Sequence, residues 1–247
     1  MVGVGSKRDA DLTPRAALQI LRAVPARMAF SCMRPDPFVE NVPRLGVLIS
    51  GRGSNLQAIS DAIANHSLRA TIAVVISNIP SAPGLTVARE AGIDTVIVPH
   101  GGSTREAYDH LLIEALTQRR VDLVCLAGFM RLLGPSFIDA FPNRILNIHP
   151  SLLPAFPGLD AQRQALEHGV KIAGATVHLV NTELDAGPIV LQAAVPVLAG
   201  DTVASLSARI LEVEHQIYPQ AIQLMLDGDW EIEGRRVLFH ARSETGS

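Results

Sequence analysis

LGVLISGRGSN, residues 45–55, passes from an apolar run through a glycine-rich turn to the start of a helix-like segment. Leu, Val and Ile fall at both odd and even positions of the run, the pattern of a strand covered on both faces in a parallel sheet. In SGRGSN the glycines let the backbone approach a ligand, and a helix starting there offers unpaired N–H groups and a positive dipole end. Strand, turn and helix in that order point to an α/β fold.

The same alternation recurs downstream. TIAVVIS (71–77), DTVIVP (94–99) and VDLVCLAG (121–128) read as further buried strands, separated by helical stretches at 54–65, 84–91 and 103–119. The last opens STREAYDHLL, with Ser103 as the expected N-cap and Glu106 placed for a capping box. Repeated strand–helix–strand units predict a mostly parallel twisted sheet with flanking helices, Rossmann-like in its N-terminal half. After these come a strand RILNIH (144–149), a proline-rich loop and a helix at 161–168. GATVHLV (174–180) and PIVLQAAVPV (188–197) alternate apolar and polar residues in part, which predicts an antiparallel pair near a sheet edge. A long helix at 202–227, expected to kink or break before Pro219, closes the domain.

With 247 residues, 48% of them hydrophobic, the chain is long enough for a full-sized core, and one domain is expected over 45–247. Residues 1–44 carry Pro14, Pro25, Pro35, Pro37 and Pro43 among small and basic residues, a composition expected to order poorly as an N-terminal extension. Met28 or Met33 is an alternative start, and Asp9, Asp11, Asp36 and Glu40 argue against a transit peptide. The net charge of −3 and the scattered Lys and Arg leave no footprint for nucleic acid, which favours a small-molecule partner. Cys32 and Cys125 are isolated, so neither a disulfide framework nor a thiolate metal site is expected. No run is long and apolar enough for a membrane helix, and a soluble cytoplasmic protein is expected.

Four places carry chemistry. SGRGSN lacks the third glycine of a dinucleotide fingerprint, where Leu56 stands, and lacks the Gly-Lys-Ser/Thr ending of a Walker loop. A monophosphate site and a plain tight turn with Ser54 as N-cap both remain open. The segment FMRLLGP follows a strand end, so Met130, Arg131, Leu132 and Leu133 are either walls of a flat apolar pocket or a core turn. Asn147 and His149, two residues apart on a strand, share one face, where an amide donor and an imidazole can stabilise an oxyanion and move a proton. A structural histidine is the alternative. Asp185 in ELDAGP is either an ordinary turn residue or a carboxylate approaching His149, which would favour the imidazolium. Leu153-Pro154 is a candidate cis bond. His178, in a strand, and the Glu214-His215 pair on the last helix show no metal spacing, and no metal is expected.

Five separated segments, VLISGRGSNLQAI, LAGFMRLLGPSFI, ILNIHPSLLPAFPGL, GATVHLVNTELDAGPIVLQ and EHQIYP, closely resemble in order the phosphoribosylglycinamide formyltransferase family, over about residues 45–227. Residues 1–44 lie outside the resemblance. It implies a formyltransferase fold and transfer of a formyl group from 10-formyltetrahydrofolate, as cosubstrate, to the amine of glycinamide ribonucleotide in de novo purine biosynthesis. It implies Asn147, His149 and Asp185 as the catalytic trio, and Gly53, Ser54 and Asn55 as the substrate phosphate loop. Glu214 matches the acidic residue contacting the glycinamide part, while Arg105, Met130, Arg131, Leu132, Leu133 and Asn147 match folate-contacting positions. Arg52 stands at a variable place and receives no role. The expected mechanism is direct attack by the amine through a tetrahedral intermediate, on a monomer or homodimer. Formyltetrahydrofolate deformylase and methionyl-tRNA formyltransferase share the trio, but residues 1–44 are short for the extra N-terminal domain of the first and little follows Asp227 for the extra C-terminal domain of the second. A silent module that only binds a phosphoribosyl ligand is the reading from another class.

Overall fold

The computed structural model describes residues 42–99, 101–102 and 104–240, so the expectations for most of 1–44 and for Ser103 lie outside the described residues. In chain order the elements are β1 (Arg44–Ile49), α1 (Ser54–Ala64), β2 (Thr71–Ser77), α2 (Pro83–Glu90), β3 (Thr95–Ile97), α3 (Arg105–Gln118), β4 (Leu123–Leu126) and α4 (Pro135–Ala140). They continue with β5 (Ile145–His149), α5 (Ala161–Glu167), β6 (Ile172–Leu179), β7 (Ile189–Pro196), α6 (Val203–Leu226), β8 (Trp230–Glu233) and β9 (Arg236–Phe239).

The strands form one nine-stranded sheet in the order β3-β2-β1-β4-β5-β6-β7-β9-β8. From β3 to β5 every pairing is parallel, the Rossmann-like half, and β5–β6 and β6–β7 are antiparallel. The two parities of β1 explain its all-apolar sequence. Leu45, Val47 and Ile49 pack with α1, α2 and α6 on one face, while Leu48 joins Tyr108, Leu112 and Leu116 of α3 and Phe137 of α4 on the other. The strand order reverses between β2-β1 and β4-β5, and the crevice beyond the carboxyl ends there is where open α/β sheets bind ligands. Ser50 to Gly53, Gly128 to Leu133 and Asn147 to His149 all emerge at that end.

Several expectations need correction. The pair β6–β7 is antiparallel and near the edge as expected, but the edge itself is an unforeseen hairpin, β8–β9, which adds beyond it through a single parallel register between Ile189 and Arg236. The α6 helix runs unbroken through Pro219, held by buried Ile217, Tyr218, Ala221 and Ile222 around it, so tertiary packing outweighs the hydrogen bond the proline removes. Thr104 caps α3, accepting from the Ala107 N–H; Glu106 is in the first turn but is not the third helical residue a capping box needs. Gly53, at φ 80°, is the N-cap of α1, which puts Ser54 inside the helix. The short helix α4, opened by Gly134 and Pro135, is an addition. Leu153-Pro154 is cis.

Candidate active site

Asn147 and His149 end β5, and the strand pairs antiparallel with β6 so that Asn147 faces His178 and His149 faces Thr176. Cross-strand partners on one face have adjacent side chains, and this register creates the centre of the site. Asn147 Nδ2 lies 3.2 Å from His178 Nε2, and His178 Nδ1 lies 2.9 Å from the Leu179 carbonyl. A carbonyl only accepts, so Nδ1 carries the proton and Nε2 of a neutral His178 accepts from Asn147. Burial lowers the pKa of His178 below 6.5, only partly opposed by the Leu179 bond and by Asp185, which agrees with the neutral form. One Asn147 N–H is therefore spent on His178 and the other is left for a ligand.

Asp185 arrives from the turn between β6 and β7 in a left-handed backbone conformation, φ 49°, which Asp tolerates better than most residues. Its Oδ2 accepts from the Gly158 N–H at 2.8 Å and stands 3.4 Å from His149 Nδ1; its Oδ1 is 3.7 Å from His178 Nε2. The first is a hydrogen bond, the second is within ion-pair distance if His149 is protonated, and the third faces the unprotonated nitrogen of a neutral His178. His149 Nε2 donates to the Phe156 carbonyl at 2.9 Å. Both His149 nitrogens are thus engaged, and its Nε2 proton reaches a ligand only by leaving Phe156. The loop between is braced by Thr176, which donates to the Ser151 carbonyl at 2.6 Å and accepts from the Leu153 N–H at 3.0 Å. His178 and Thr176 carry no motif of their own; the signal that finds them is the β5–β6 register.

A second polar cluster forms where α1 begins. Buried Asn55 donates from Nδ2 to Glu214 Oε2 of α6 at 2.8 Å, while Asn55 Oδ1 finds no partner among the described residues. Burial raises the Glu214 carboxyl above 4.5, opposed by the Asn55 bond. Gly53 has a backbone reason to be glycine beyond its φ: an added Cβ would sit 2.7 Å from Gly84 Cα, where the Gly84 N–H donates to the Gly51 carbonyl. Between α1 and α6 lies a groove of about 530 Å³ lined by Ser54, Gln57, Asp61, His215 and Gln220 among others.

The remaining candidates line the end of β4. Met130 and Leu132 are 68% and 57% exposed, unusual for apolar side chains beside a polar centre, whereas Leu133 packs into the Phe137 and Phe141 cluster. The Arg131 guanidinium lies 4.8 Å from the Tyr108 ring centroid, and exposed Arg105 passes close to Gly134. Among the described residues, no group of three or more His, Cys, Asp or Glu side chains is arranged to hold a metal ion, and no helix is long and apolar enough to cross a membrane.

This arrangement suits attack on a carbonyl carbon, and comparison with known proteins agrees. The formyl transferase family pattern matches residues 43–222. Phosphoribosylglycinamide formyltransferase of Escherichia coli is 50% identical over 183 residues, 74% of this chain and 86% of that protein. The chain belongs to the phosphoribosylglycinamide formyltransferase family. Within that family, the crystal structure of glycinamide ribonucleotide transformylase 1 from Symbiobacterium toebii superposes with a TM-score of 0.80 at 56% identity, covering 83% of this chain and 97% of that one. The human trifunctional purine biosynthetic protein adenosine-3 is 47% identical over 192 residues, 77% of this chain but 19% of that protein. A formyltetrahydrofolate deformylase from Pseudomonas syringae shares the fold at TM-score 0.76 with 27% identity, over 81% of this chain and 66% of that one. The chain is therefore a formyltransferase, with the mostly parallel α/β fold of its relatives.

Proposed function

We propose that the enzyme transfers the formyl group of 10-formyltetrahydrofolate to the primary amine of glycinamide ribonucleotide, in the cytoplasm and as a monomer or homodimer. The observation that carries the reading is the meeting of Asn147 and His149 of β5 with Asp185 from the distant turn between β6 and β7, at the carboxyl end of β5. The neutral amine attacks the formyl carbon, forming a C–N bond as the carbonyl electron pair moves onto oxygen. The free Asn147 N–H and a protonated His149, its Nε2–H released from the Phe156 carbonyl, stabilise that oxyanion. Asp185 supplies the counter-charge at Nδ1. Collapse re-forms the carbonyl and breaks the bond to folate N10, which takes up a proton while the amine loses one. No covalent enzyme intermediate forms.

Gly53, Ser54 and Asn55 at the N-terminus of α1 receive the phosphate end, where backbone N–H groups and the helix dipole favour an anion. Glu214, with Asn55, addresses the glycinamide part. Met130 and Leu132 give the folate ring an apolar wall, Leu133 and Arg131 on the opposite side of the segment back that wall, and Arg105 is a cation for the folate carboxylates. The decisive assay supplies glycinamide ribonucleotide and 10-formyltetrahydrofolate, with a control lacking the ribonucleotide. Product is expected only with both; folate release without acceptor would instead make the enzyme a deformylase, and binding without product a silent module.

A further inference from the structure

Residues 130–134 form a strap whose side chains alternate in direction. Met130 and Leu132 project outward, while Arg131 lies against Tyr108 and Leu133 enters the core. A one-residue rotation would exchange the two sets, so something must fix the strap's register. Hydrogen bonds do so at both ends. At one, the Met130 N–H donates to Ser50 Oγ at 2.8 Å, and Ser50 Oγ donates to Asn78 Oδ1 at 2.6 Å. At the other, the Gly134 N–H donates to Asp109 Oδ2 at 2.8 Å, and Ser136 Oγ donates to the same oxygen at 3.3 Å.

Asp109 is an unusual anchor. It is 0% exposed, and its Oδ1 finds no partner among the described residues. Burial raises its carboxyl from the ordinary value, against the Gly134, Ser136 and Arg105 contributions. A buried carboxylate with one bare oxygen is costly, and for packing alone an apolar residue would serve α3 better. What it does that an apolar residue does not is hold Gly134. The fit leaves no room for a side chain there, since a Cβ on Gly134 would collide with Asp109 Oδ2.

We infer that Asp109 and Ser50 are positioning residues for the folate cosubstrate, holding the two ends of the strap so that Met130 and Leu132 face the ligand; this rests on the folate reading of that segment. The strap is a short irregular stretch, and losing either end frees it to turn its apolar side chains away from the pocket. The effect of Asp109 is selective, because the residues assigned to glycinamide ribonucleotide stand at the start of α1 and on α6, whereas Asp109 is on α3.

Steady-state kinetics with each substrate varied in turn test this. Asp109→Ala, which removes the acceptor of both the Gly134 N–H and Ser136 Oγ, is expected to raise KM for 10-formyltetrahydrofolate about tenfold or more, with KM for glycinamide ribonucleotide changed less than about twofold. Asp109→Asn, which keeps an acceptor for the Gly134 N–H, should recover most of the loss. If Asp109→Ala does not fold, Ser50→Ala opens the other end and is expected to raise the same KM severalfold; an unchanged value there overturns the inference. Equal rises in both KM values, or a fall in kcat with neither KM moved, would mean general damage and also overturn it. Met130→Ala and Leu132→Ala separate the layers. If they raise the folate KM and Asp109→Ala does not, only the inference fails; if they leave it unmoved, the folate reading fails and the inference with it.

Discussion

In the cluster around His149, Asp185 and both imidazoles are engaged by protein partners, whereas in the cluster at the start of α1 Asn55 keeps an unpartnered amide oxygen beside a buried carboxylate. Buried polar groups are normally satisfied, so the difference is informative. The first cluster is a set of charges and dipoles fixed before any ligand arrives, which is what stabilising a developing oxyanion requires. The second holds open acceptors, which is what binding a substrate rich in N–H and O–H groups requires. The first should govern kcat and the second KM.

The strongest test of that division is His149→Ala. Turnover is expected to fall roughly 10²–10⁴-fold, the range for losing a positioned acid–base group, with far smaller changes in either KM. An unchanged kcat in a steady-state assay would remove His149 from the mechanism. Glu214→Ala probes the other side. It should raise KM for glycinamide ribonucleotide by about tenfold or more, as expected for losing a hydrogen bond to a charged acceptor, and change kcat less. A kcat effect equal to that of His149→Ala would erase the distinction between the clusters.

The parallel half of the sheet and the shared face of Asn147 and His149 were readable from the amino acids because each leaves a local mark, whereas Asp185 in its turn left none. Apolar residues at both parities announce β1, β2 and β4, and Asn147 and His149 stand two apart on one strand. Other parts leave none. The β8–β9 hairpin is mostly exposed, with Val237 its one buried apolar residue, so WEIE and RVLF carry little burial pattern. His178 matters only through the β5–β6 register, fixed across a long connection that no short-range rule predicts. Asp109 did leave a signal. It shares the buried face of α3 with Leu112 and Leu116, at helical spacings of three and four, and a carboxylate on an apolar face asks for a partner.

His178 allows a subtler test of how the first cluster is fixed. Its pKa is lowered by burial, so between 6.5 and its lower folded value the unfolded chain binds a proton that the native one does not. Native stability contributed through this group is therefore full above 6.5 and falls as pH drops through that window. Denaturant unfolding at pH 7.5 and 5.5 should show a smaller acid loss for His178→Gln than for the unsubstituted enzyme. His178→Leu, which has no acceptor, should lower kcat about tenfold, because the Asn147 amide loses the group that orients it. Identical pH slopes would mean that His178 is not held neutral.

The smallest expected effect concerns the residue that touches both regions. Tyr218 lies one turn beyond Glu214 on α6, and its hydroxyl sits 3.0 Å from the Leu126 carbonyl and 3.1 Å from the Leu146 carbonyl, the residue before Asn147. One hydroxyl proton is shared between carbonyls of the neighbouring strands β4 and β5, tying the helix that carries Glu214 to the strand that carries Asn147. Tyr218→Phe removes that bond while keeping the ring in the core, so it should cost about 1–2 kcal/mol of unfolding free energy. If the two clusters are independently braced, by His178 and Asp185 on one side and by Asn55 on the other, kcat and both KM values should then move less than about threefold, within the reach of a single shared bond. A large fall in kcat together with a rise in KM for glycinamide ribonucleotide would show instead that the clusters are coupled through α6, and that the separation of charge-fixing from substrate-binding holds only while Tyr218 keeps helix and strand in place.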